Sequence, residues 1–377
     1  MRNVTVIGFV FVSLLLMILP AELTAQAEIT LQSVQPITAA NAASVKQIAL
    51  LQGHKGAVFG LTFSPDGKLL ASAGMDKSVR LWDVAGAKQT AQLDGHTAQA
   101  VVVGFTSDGA TLLSGGYDGT IRLWDVKSAK QTGVQTVYPQ HSMILDNVPP
   151  PRIGTLFNAF SPDGTLFAYN YSEFINLWDI KTQKVHVLAS DYLVGEQFGP
   201  VTFTADGNAL IATVAKNYST AFLYIYTWVV KDVQASAPSD PLHGPEKPAT
   251  TLTGTQGADY AAIAVSHDGT LLALYNVTDT SIQIFDLKAG KVQNTLPGSP
   301  AKNGEVNDIY GLAFSPDSSL IAVASFDKTL RLCDVKTGKV LATLAGHDDV
   351  YTVIFSPDGT RIASANLDGT LQIWGPG

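Results

Sequence analysis

Cysteine is nearly absent from this chain of 377 residues, which contains only Cys333. A single cysteine cannot form an intrachain disulfide, and it excludes zinc or iron–sulfur centres built on several cysteines. Charge is also scarce, because charged residues make up 15% of the chain, against roughly 25% in an average soluble domain. Disordered chains combine low hydrophobicity with high charge. Since 46% of these residues are hydrophobic, the composition indicates a folded protein.

Basic residues are in the minority as well. Lysine and arginine number 24 against 32 aspartate and glutamate residues, which gives a formal net charge of −8 at pH 7. Proteins that hold nucleic acid neutralise the backbone phosphates with lysine and arginine. This acidic chain has no basic run, so we predict that it does not bind nucleic acid.

Long hydrophobic runs are missing after the first residues of the chain. A nearly continuous apolar run from Val4 to Leu19 is followed by the small-residue pattern Ala25-Gln26-Ala27. This order is typical of a Sec signal peptide, here residues 1–27. The alternative is an uncleaved anchor, although the run is shorter than the ~20 residues of a spanning helix. No cysteine stands directly after the run, which argues against lipid attachment. We expect a secreted or periplasmic protein without a membrane span after cleavage.

A phrase of five residues recurs seven times in the chain. Most copies read Phe, Ser or Thr, a variable residue that is often Pro, Asp and Gly. The copies begin at Phe63, Phe105, Phe160, Phe203, Val265, Phe314 and Phe355. Pro-Asp-Gly after an alternating apolar run is typical of hairpin turns. Four short strand patterns accompany a copy, and the shorter spacings match the ~40–45 residues of a four-stranded propeller blade.

Two further motifs accompany the phrase in part of the chain. Gly-His stands at Gly53-His54, Gly95-His96 and Gly346-His347, and Leu-Trp-Asp ends at Asp83, Asp125 and Asp179. With an aspartate six residues before three of the tryptophans, this combination resembles the WD-repeat (WD40) β-propeller family. The lead-in over residues 41–51 resembles secreted bacterial members. The resemblance implies an all-β, seven-bladed β-propeller over residues 44–377, preceded by a flexible arm over residues 28–43.

In that family His, Ser, Asp and Trp form a hydrogen-bonded relay within a blade. Carried over, the relays are His54, Ser72, Asp76 and Trp82; His96, Ser114, Asp118 and Trp124; and His347, Ser364, Asp368 and Trp374. Buried polar groups need partners, so we interpret these sets as structural. They are not read as catalytic triads, whose serine must face substrate. The middle units depart from the pattern. The fourth shows no clear Trp position, and the sixth has Cys333 in its place.

The last unit, which reaches Trp374, is one strand short. The segment from Ser44 to Leu51 precedes Gly53-His54 in the same way that an outer-strand pattern precedes Gly346-His347. Residues 44–51 are therefore predicted to form the outer strand of the last blade, which closes the ring and removes two open sheet edges. Two loops, at residues 142–153 and 231–248, are either tolerated insertions or partner-specific loops.

The resemblance implies that partners dock on the face that carries the Gly-His loops. Two positions of each unit are predicted to point there, one on the first strand and one just before the turn aspartate. They predict an apolar patch with an acidic rim, formed by Phe59, Met75, Tyr117, Tyr310, Phe326, Tyr351, Leu367, Asp308 and Asp349. Such a patch fits a binding hot spot. The alternative is that these side chains pack between blades or line a dry channel.

Two functions remain open from the sequence. The favoured one is an exported, non-catalytic scaffold that binds an unidentified protein or peptide through the Gly-His face, as a monomer. The alternative is an exported propeller enzyme such as a lactonase or hydrolase. We predict no catalytic residue, metal or cofactor, because the first-strand position holds no His, Asp, Glu, Lys or Arg. No two histidines have metal-ligand spacing either.

Overall fold

The computed structural model describes residues 35–136, 158–171, 174–182, 184–190, 196–216, 222–235, 250–256, 260–298 and 309–377. Within them, the strands form seven four-stranded antiparallel sheets, each of which is one blade. The first strands of successive blades contact one another around the ring, so they are innermost. The prediction of an all-β, seven-bladed β-propeller is confirmed.

The strands follow chain order from β1, which is the outer strand of blade 7, to β28. The first strand in the sequence is β1 (Val45–Leu51). Blade 1 contains β2 (Val58–Phe63), β3 (Leu69–Gly74), β4 (Val79–Asp83) and β5 (Lys88–Leu93). Blade 2 contains β6 (Ala100–Phe105), β7 (Thr111–Gly116), β8 (Thr120–Asp125) and β9 (Lys130–Thr136). Blade 3 contains β10 (Asn158–Phe160), β11 (Leu166–Tyr171), β12 (Phe174–Asp179) and β13 (Lys184–Ser190).

The remaining blades follow the same order. Blade 4 contains β14 (Glu196–Phe203), β15 (Ala209–Lys216), β16 (Phe222–Val229) and β17 (Thr250–Gln256). Blade 5 contains β18 (Tyr260–Val265), β19 (Leu271–Asn276), β20 (Ser281–Asp286) and β21 (Lys291–Leu296). Blade 6 contains β22 (Ile309–Phe314), β23 (Leu320–Ser325), β24 (Thr329–Asp334) and β25 (Val340–Ala345). Blade 7 contains β26 (Val350–Phe355), β27 (Ile362–Asn366), β28 (Leu371–Pro376) and β1.

Little helix is present in the described residues. A short 3-10 turn, Ala42–Ser44, precedes β1, and helix α1 (Val230–Ala235) lies between β16 and β17. The loop predicted at residues 231–248 thus falls between the third and fourth strands of its blade, although residues 236–249 lie outside the described residues. The loop at 142–153 lies outside them entirely. Among the helices that the structure describes, none is long and apolar enough to cross a membrane.

Ring closure occurs at the predicted strand. β1 pairs antiparallel with β28, from Val45 opposite Pro376 to Leu51 opposite Leu371. The segment before β1 is also packed, because the Ile37 N–H donates to the Gly359 carbonyl at 2.8 Å and its side chain is buried. Residues 36–43 therefore differ from the flexible arm predicted over residues 28–43. Residues 28–34 lie outside the described part of the chain.

The hydrophobic core is divided into seven clusters, and each cluster joins two successive blades. Between blades 7 and 1, for example, Ile373 and Leu371 pack with Val58, Leu70 and Trp82. Burying one large apolar side chain stabilises a fold by roughly 1.5–3 kcal/mol. Since blade faces are buried against the neighbouring blades, the two end blades complete their burial only when the ring is closed.

One position of the third strand faces the preceding blade in every unit. Its occupants are Trp82, Trp124, Trp178, Trp228, Phe285, Cys333 and Trp374. In blade 4, Trp228 lies opposite Leu210, just as Trp82 lies opposite Leu70 in blade 1. The expectation that the fourth unit has no clear Trp position is therefore wrong. The Leu-Trp-Asp motif does not reveal this tryptophan, because it is followed by Val229 and not by an aspartate.

The recurring phrase forms the turn between the first two strands of every blade. In blade 1 the Ser64 hydroxyl donates to Asp66 at 2.7 Å, and the Leu69 N–H donates to the same hydroxyl oxygen at 2.9 Å. The equivalent hydroxyl–carboxylate bond recurs in the other six turns. The fifth residue has a positive φ, 69° at Gly67, and in blade 6 Ser318 takes it at 60°.

These hydrogen bonds act on the acidity of all seven turn aspartates. In three turns the hydroxyl bond is the main cause that holds the aspartate pKa below its usual range; these are Asp66, Asp108 and Asp206. In the other four, burial would raise the pKa, but the hydroxyl and backbone N–H bonds outweigh it; these are Asp163, Asp268, Asp317 and Asp358. The seven turns are therefore stabilised by the ionised form.

We expect Leu51→Asp to destabilise the whole ring, because it places a charge in the cluster between blades 7 and 1. The loss should be about 3–5 kcal/mol, measured by urea unfolding of the full chain. Ile48→Asp is the matched control, since Ile48 lies on the same strand and is 43% exposed. Equal loss from both variants would contradict closure through β1.

Acid should weaken the fold through the turn aspartates. Their pKa is lower in the folded than in the unfolded chain, so their contribution is present above the unfolded pKa of about 3.9 and is lost as the pH falls below it. We expect the melting temperature to decline steeply below about pH 4. Asp358→Asn should be less stable at pH 7 but should lose less on acidification, because one titrating group has been removed. A melting temperature that stays flat far below this pH would show that the turns do not act in this way.

Candidate functional site

A β-bulge interrupts the innermost strand at the same place in five blades. The residues left out of the strand ladder are Phe59, Val101, Ala261, Tyr310 and Tyr351. A bulge leaves one residue unpaired and re-aims its side chain. This is the first-strand position that was predicted to point to the Gly-His face. The bulge itself was not predicted.

The two predicted patch positions of a blade are tied together by a backbone hydrogen bond. The Met75 N–H donates to the Ala57 carbonyl at 2.8 Å, just before β2 begins. Equivalent bonds join Tyr117 to Gln99 at 2.9 Å and Leu367 to Asp349 at 3.0 Å. The tip of the second hairpin is thereby held beside the start of the innermost strand, on the face that carries the Gly-His loops.

Four aromatic rings from blades 1, 6 and 7 meet in one cluster, which we call the aromatic platform: Phe59, Tyr310, Phe326 and Tyr351. Tyr310 stacks on Phe326 at a centroid distance of 4.4 Å and on Tyr351 at 5.5 Å. Phe326 and Tyr351 are 6.4 Å apart, and Phe59 meets Tyr351 edge-on at 5.4 Å. All four rings are only partly buried. The platform thus joins the blades on both sides of the closing strand.

The other predicted patch residues are Met75, Tyr117, Leu367, Asp308 and Asp349. Burial, with the phenols of Tyr117 and Tyr310, raises the pKa of Tyr351 well above its usual range. Met75 is 49% exposed, and Leu367 and Asp349 are partly buried. Asp308 lies outside the described residues.

The relays of blades 1 and 2 are continuous hydrogen-bond chains. In blade 1 the Trp82 indole N–H donates to the Ser72 hydroxyl at 2.8 Å, and that hydroxyl lies 2.7 Å from His54 Nε2. His54 Nδ1 lies 2.9 Å from Asp76. Blade 2 repeats the chain with Trp124, Ser114, His96 and Asp118.

The hydrogen bonds of blade 1 favour a neutral imidazole. Ser72 accepts from the indole, and its own buried proton has an acceptor when Nε2 is unprotonated and the ring proton sits on Nδ1, donated to Asp76; this assigns the tautomer from the network. Burial lowers the pKa of His54, in agreement with the neutral form. Burial alone would raise the pKa of Asp76, but the bonds from His54 and the Lys55 N–H hold it well below its usual range. Every polar group of this hydrogen-bond network has a partner, so the Ser72 hydroxyl has a structural role.

The relay predicted for blade 7 is broken into two pairs. Trp374 donates to Ser364 at 2.9 Å and His347 lies 2.5 Å from Asp368, but within the described blade no hydrogen bond joins His347 to Ser364. The His347 side chain is 49% exposed, whereas that of His54 is fully buried. This part of the predicted set His347, Ser364, Asp368 and Trp374 is therefore corrected.

The cause is one residue at the end of the second strand. Gly74 holds this position in blade 1, and a Cβ placed there would come within 2.5 Å of His54 Nδ1. At Gly116 the equivalent distance to His96 Nδ1 is 2.7 Å. Blade 7 has Asn366, which pairs with Val350 as Gly74 pairs with Val58. The buried Asn366 amide N–H donates to the Thr370 hydroxyl at 2.8 Å. The side chain held there leaves no room for an imidazole.

Sequence reasoning missed this glycine, although a signal was present. The complete relays carry Gly-x-Asp, at Gly74 to Asp76 and Gly116 to Asp118. The incomplete unit reads Asn366-Leu367-Asp368. The presence of His, Ser, Asp and Trp was therefore not sufficient, because a fifth requirement is a position without a side chain.

Cys333, the single cysteine of the chain, is buried in the core. Burial raises the pKa of the Cys333 thiol to about 11, so it is a protonated core residue in the Trp position of blade 6. Among the residues that the structure describes, no group of three or more His, Cys, Asp or Glu side chains could hold a metal ion.

Two cavities lie on the opposite face, beside the recurring turns. One of about 450 Å³ is lined by Pro65, Ser107 and Pro162, and one of about 350 Å³ by Ser107, Asp163 and Lys231 among others. In other turns the proline packs against the turn of the next blade. Pro65, for example, lies beside Gly109, because its Cδ would be 3.5 Å from a Cβ built on that glycine. Ser107 stands where most units have this proline, and both cavities open beside it.

Four segments of the chain match a known family model. Residues 45–83, 87–125, 290–334 and 338–375 match the family model WD40, "WD domain, G-beta repeat". Each match begins with the outer strand of one blade and continues with three strands of the next, which is the offset that produces ring closure. The matched segments cover blades 1, 6 and 7, three strands of blade 2 and the outer strand of blade 5.

Curated relatives agree with this match. "WD repeat-containing protein 1" of Rattus norvegicus is 25% identical over 53% of this chain and 38% of its own length, and its Bos taurus counterpart is 26% identical over the same shares. "Autophagy-related protein 18" of Saccharomyces cerevisiae is 33% identical over 22% of this chain and 16% of its own. The chain thus spans well under half the length of these relatives, which are eukaryotic. Together the matches support a WD-repeat family, whereas the secreted bacterial type stays a prediction.

We expect Asn366→Gly to admit His347 into blade 7, because it removes the side chain that fills the imidazole site. Footprinting with diethyl pyrocarbonate and mass spectrometry measures this, since modification requires an exposed ring. In the protein without substitutions, His347 should react with the reagent, whereas His54 and His96 should be protected. In Asn366→Gly, the reactivity of His347 should fall towards theirs.

The reverse change provides the control. Gly74→Asn should expel His54, make it reactive and cost about 1–3 kcal/mol in unfolding free energy, because buried partners lose a hydrogen bond. Protection of His347 in the unmodified chain, equal to that of His54, would contradict this account.

Proposed function

We propose that this chain is an exported, non-catalytic scaffold that binds a protein or peptide through the Gly-His face of its propeller. The observation that carries the proposal is the aromatic platform. Four partly exposed rings from three blades form one apolar surface, and binding hot spots are enriched in such clustered aromatic side chains. The WD40 repeats support the same reading, because WD-repeat propellers bind proteins.

Four further parts of the proposal start from the sequence. Export follows from the signal-peptide pattern of residues 1–27, and the absence of catalysis from a first-strand position without acid–base side chains. The buried, fully partnered Ser72 and Ser114 support this, because a nucleophile needs an exposed hydroxyl. The protein is proposed to act as a monomer, without nucleic acid.

The test is the triple variant Tyr310→Ser, Phe326→Ser and Tyr351→Ser in the full chain. We expect it to weaken capture of a partner from the producing organism by at least roughly 30-fold, which corresponds to losing one hot spot of about 2 kcal/mol. The matched control replaces three exposed valines of the outer strands by serine, Val134, Val292 and Val340. Melting temperatures establish that both variants remain folded.

Photo-crosslinking locates the contact independently of stability. A benzophenone amino acid at Met75, on the proposed face, should form a covalent adduct with the captured protein, whereas one at the exposed Val134 should not. Undiminished capture by the folded triple variant, or a crosslink only at Val134, would overturn the proposed face.

A further inference from the structure

Four prolines on the face opposite the Gly-His loops make the same contact. Each of them stands in the recurring turn of its blade and lies against the turn glycine of the next blade. The distances from the proline Cδ to a Cβ built on that glycine are 3.5 Å for Pro65 and Gly109, 3.5 Å for Pro162 and Gly207, 3.4 Å for Pro316 and Gly359, and 3.9 Å for Pro357 and Gly67. A pyrrolidine ring therefore fits the edge of a turn on this face.

Blade 2 lacks this proline. Ser107 stands in its place, and the three atoms nearest to a Cβ built on Gly164, in the turn of blade 3, belong to other residues than Ser107. Two cavities of about 450 and 350 Å³ open here, and both are lined by Ser107, Ser161 and Pro162. The two cavities therefore meet beside the turn that has no proline.

The larger cavity is apolar. Among its described lining residues no side chain is charged, and the lining includes Pro65, Val102 and the partly exposed ring of Phe160. Apolar grooves with aromatic walls are the surfaces on which proline-containing peptides dock. Since the proline ring already fixes φ, such a peptide loses little conformational freedom on binding.

The smaller cavity is acidic. Its described lining residues include two carboxylates, Asp163 and Asp206, and one cation, Lys231. Burial would raise the pKa of Asp163, but the hydroxyl and backbone N–H bonds of its turn outweigh it, and the hydroxyl bond in the next turn lowers the pKa of Asp206. Both carboxylates are therefore ionised at neutral pH. A cationic side chain is attracted to this end of the groove, and an anionic one is repelled.

We propose that the two cavities form one groove that binds a partner segment in which a proline stands next to a lysine or arginine. The proline lies in the apolar cavity beside Ser107, and the basic side chain reaches Asp163 and Asp206. The contacts of the four turn prolines support the fit of the ring, and charge complementarity supports the basic neighbour. This groove lies on the face opposite the one in the proposed function and is independent of it.

Three tetrapeptides separate the contribution of the ring from that of the charge. The probes are acetyl-Gly-Pro-Lys-Gly-amide, the same peptide with alanine in place of proline, and the same peptide with glutamate in place of lysine. Fluorine NMR of the full chain labelled with fluorophenylalanine measures the affinity, because Phe160 lines the apolar cavity. We expect the Pro-Lys peptide to bind about fivefold more tightly than either of the others.

Filling the groove from within the chain is the first test of its location. Ser107→Pro introduces the ring that four other turns contain, so the variant should fold and should bind the Pro-Lys peptide at least about tenfold more weakly. Ala205→Pro is the matched control, because it makes the equivalent change in the turn of blade 4 and lines neither cavity. It should leave the affinity unchanged. Melting temperatures establish that both variants are folded.

A change of charge tests the acidic end without filling the groove. Lys231 is exposed, and Lys231→Glu should strengthen binding of the Pro-Lys peptide about threefold, an effect that high salt should remove. Lys288→Glu is the control, since it makes the same change at an exposed position between β20 and β21, outside the lining of both cavities. It should change the affinity by less than about 1.5-fold.

The inference is overturned if the peptides with proline and with alanine bind equally, or if none of the three binds at millimolar concentration. It is also overturned if folded Ser107→Pro binds as tightly as the protein without substitutions, or if Lys231→Glu and Lys288→Glu have the same effect. None of these outcomes concerns the Gly-His face, which is tested by the triple variant of the aromatic platform. The two proposals therefore fail separately.

Discussion

Packing of each blade against the one before it is the interaction on which the rest of this structure depends. The third-strand residue, Trp82 in blade 1 and Trp228 in blade 4, reaches into a cluster shared with the preceding blade. An isolated blade would leave this residue exposed, since a single four-stranded sheet has no second layer to cover it. The need for a preceding blade applies to blade 1 as well, and blade 7 supplies it. Ring closure by β1 follows from this need.

Backbone space is a second constraint, and it operates inside the blade. His54 fits against β3 because Gly74 has no side chain, and the same holds for His96 and Gly116. Once the imidazole is inside, Ser72 and Trp82 complete a chain in which every polar atom has a partner. In blade 7, Asn366 fills the space, and its amide N–H donates to the Thr370 hydroxyl. His347 therefore stays at the surface. The same position of the blade thus decides, by its volume, whether the imidazole is inside or outside.

Much of the fold could be predicted from the sequence because the repeat fixes both strand order and turn chemistry. Seven copies of one turn and the strand-like residues 44–51 were enough to predict the blades and their closure. Trp228 and Asn366 show where this reasoning stops. Trp228 was missed because a valine follows it, and Asn366 because it acts through its volume at a position outside the His, Ser, Asp and Trp motif. The bulges at Phe59, Tyr310 and Tyr351 depend on the register against the second strand, which the strand patterns were not used to predict.

The position of the aromatic platform links the candidate site to ring closure. Its rings come from blades 6, 7 and 1, and blade 7 owes its outer strand to β1. A ligand that touches all three blades therefore binds only the closed ring. By mass action, anything that binds the closed form alone also stabilises it, by RT ln(1 + [L]/Kd). Occupation of the Gly-His face and retention of the closing strand are thus coupled equilibria. Loosening of β1 would weaken binding at a surface that β1 does not itself line.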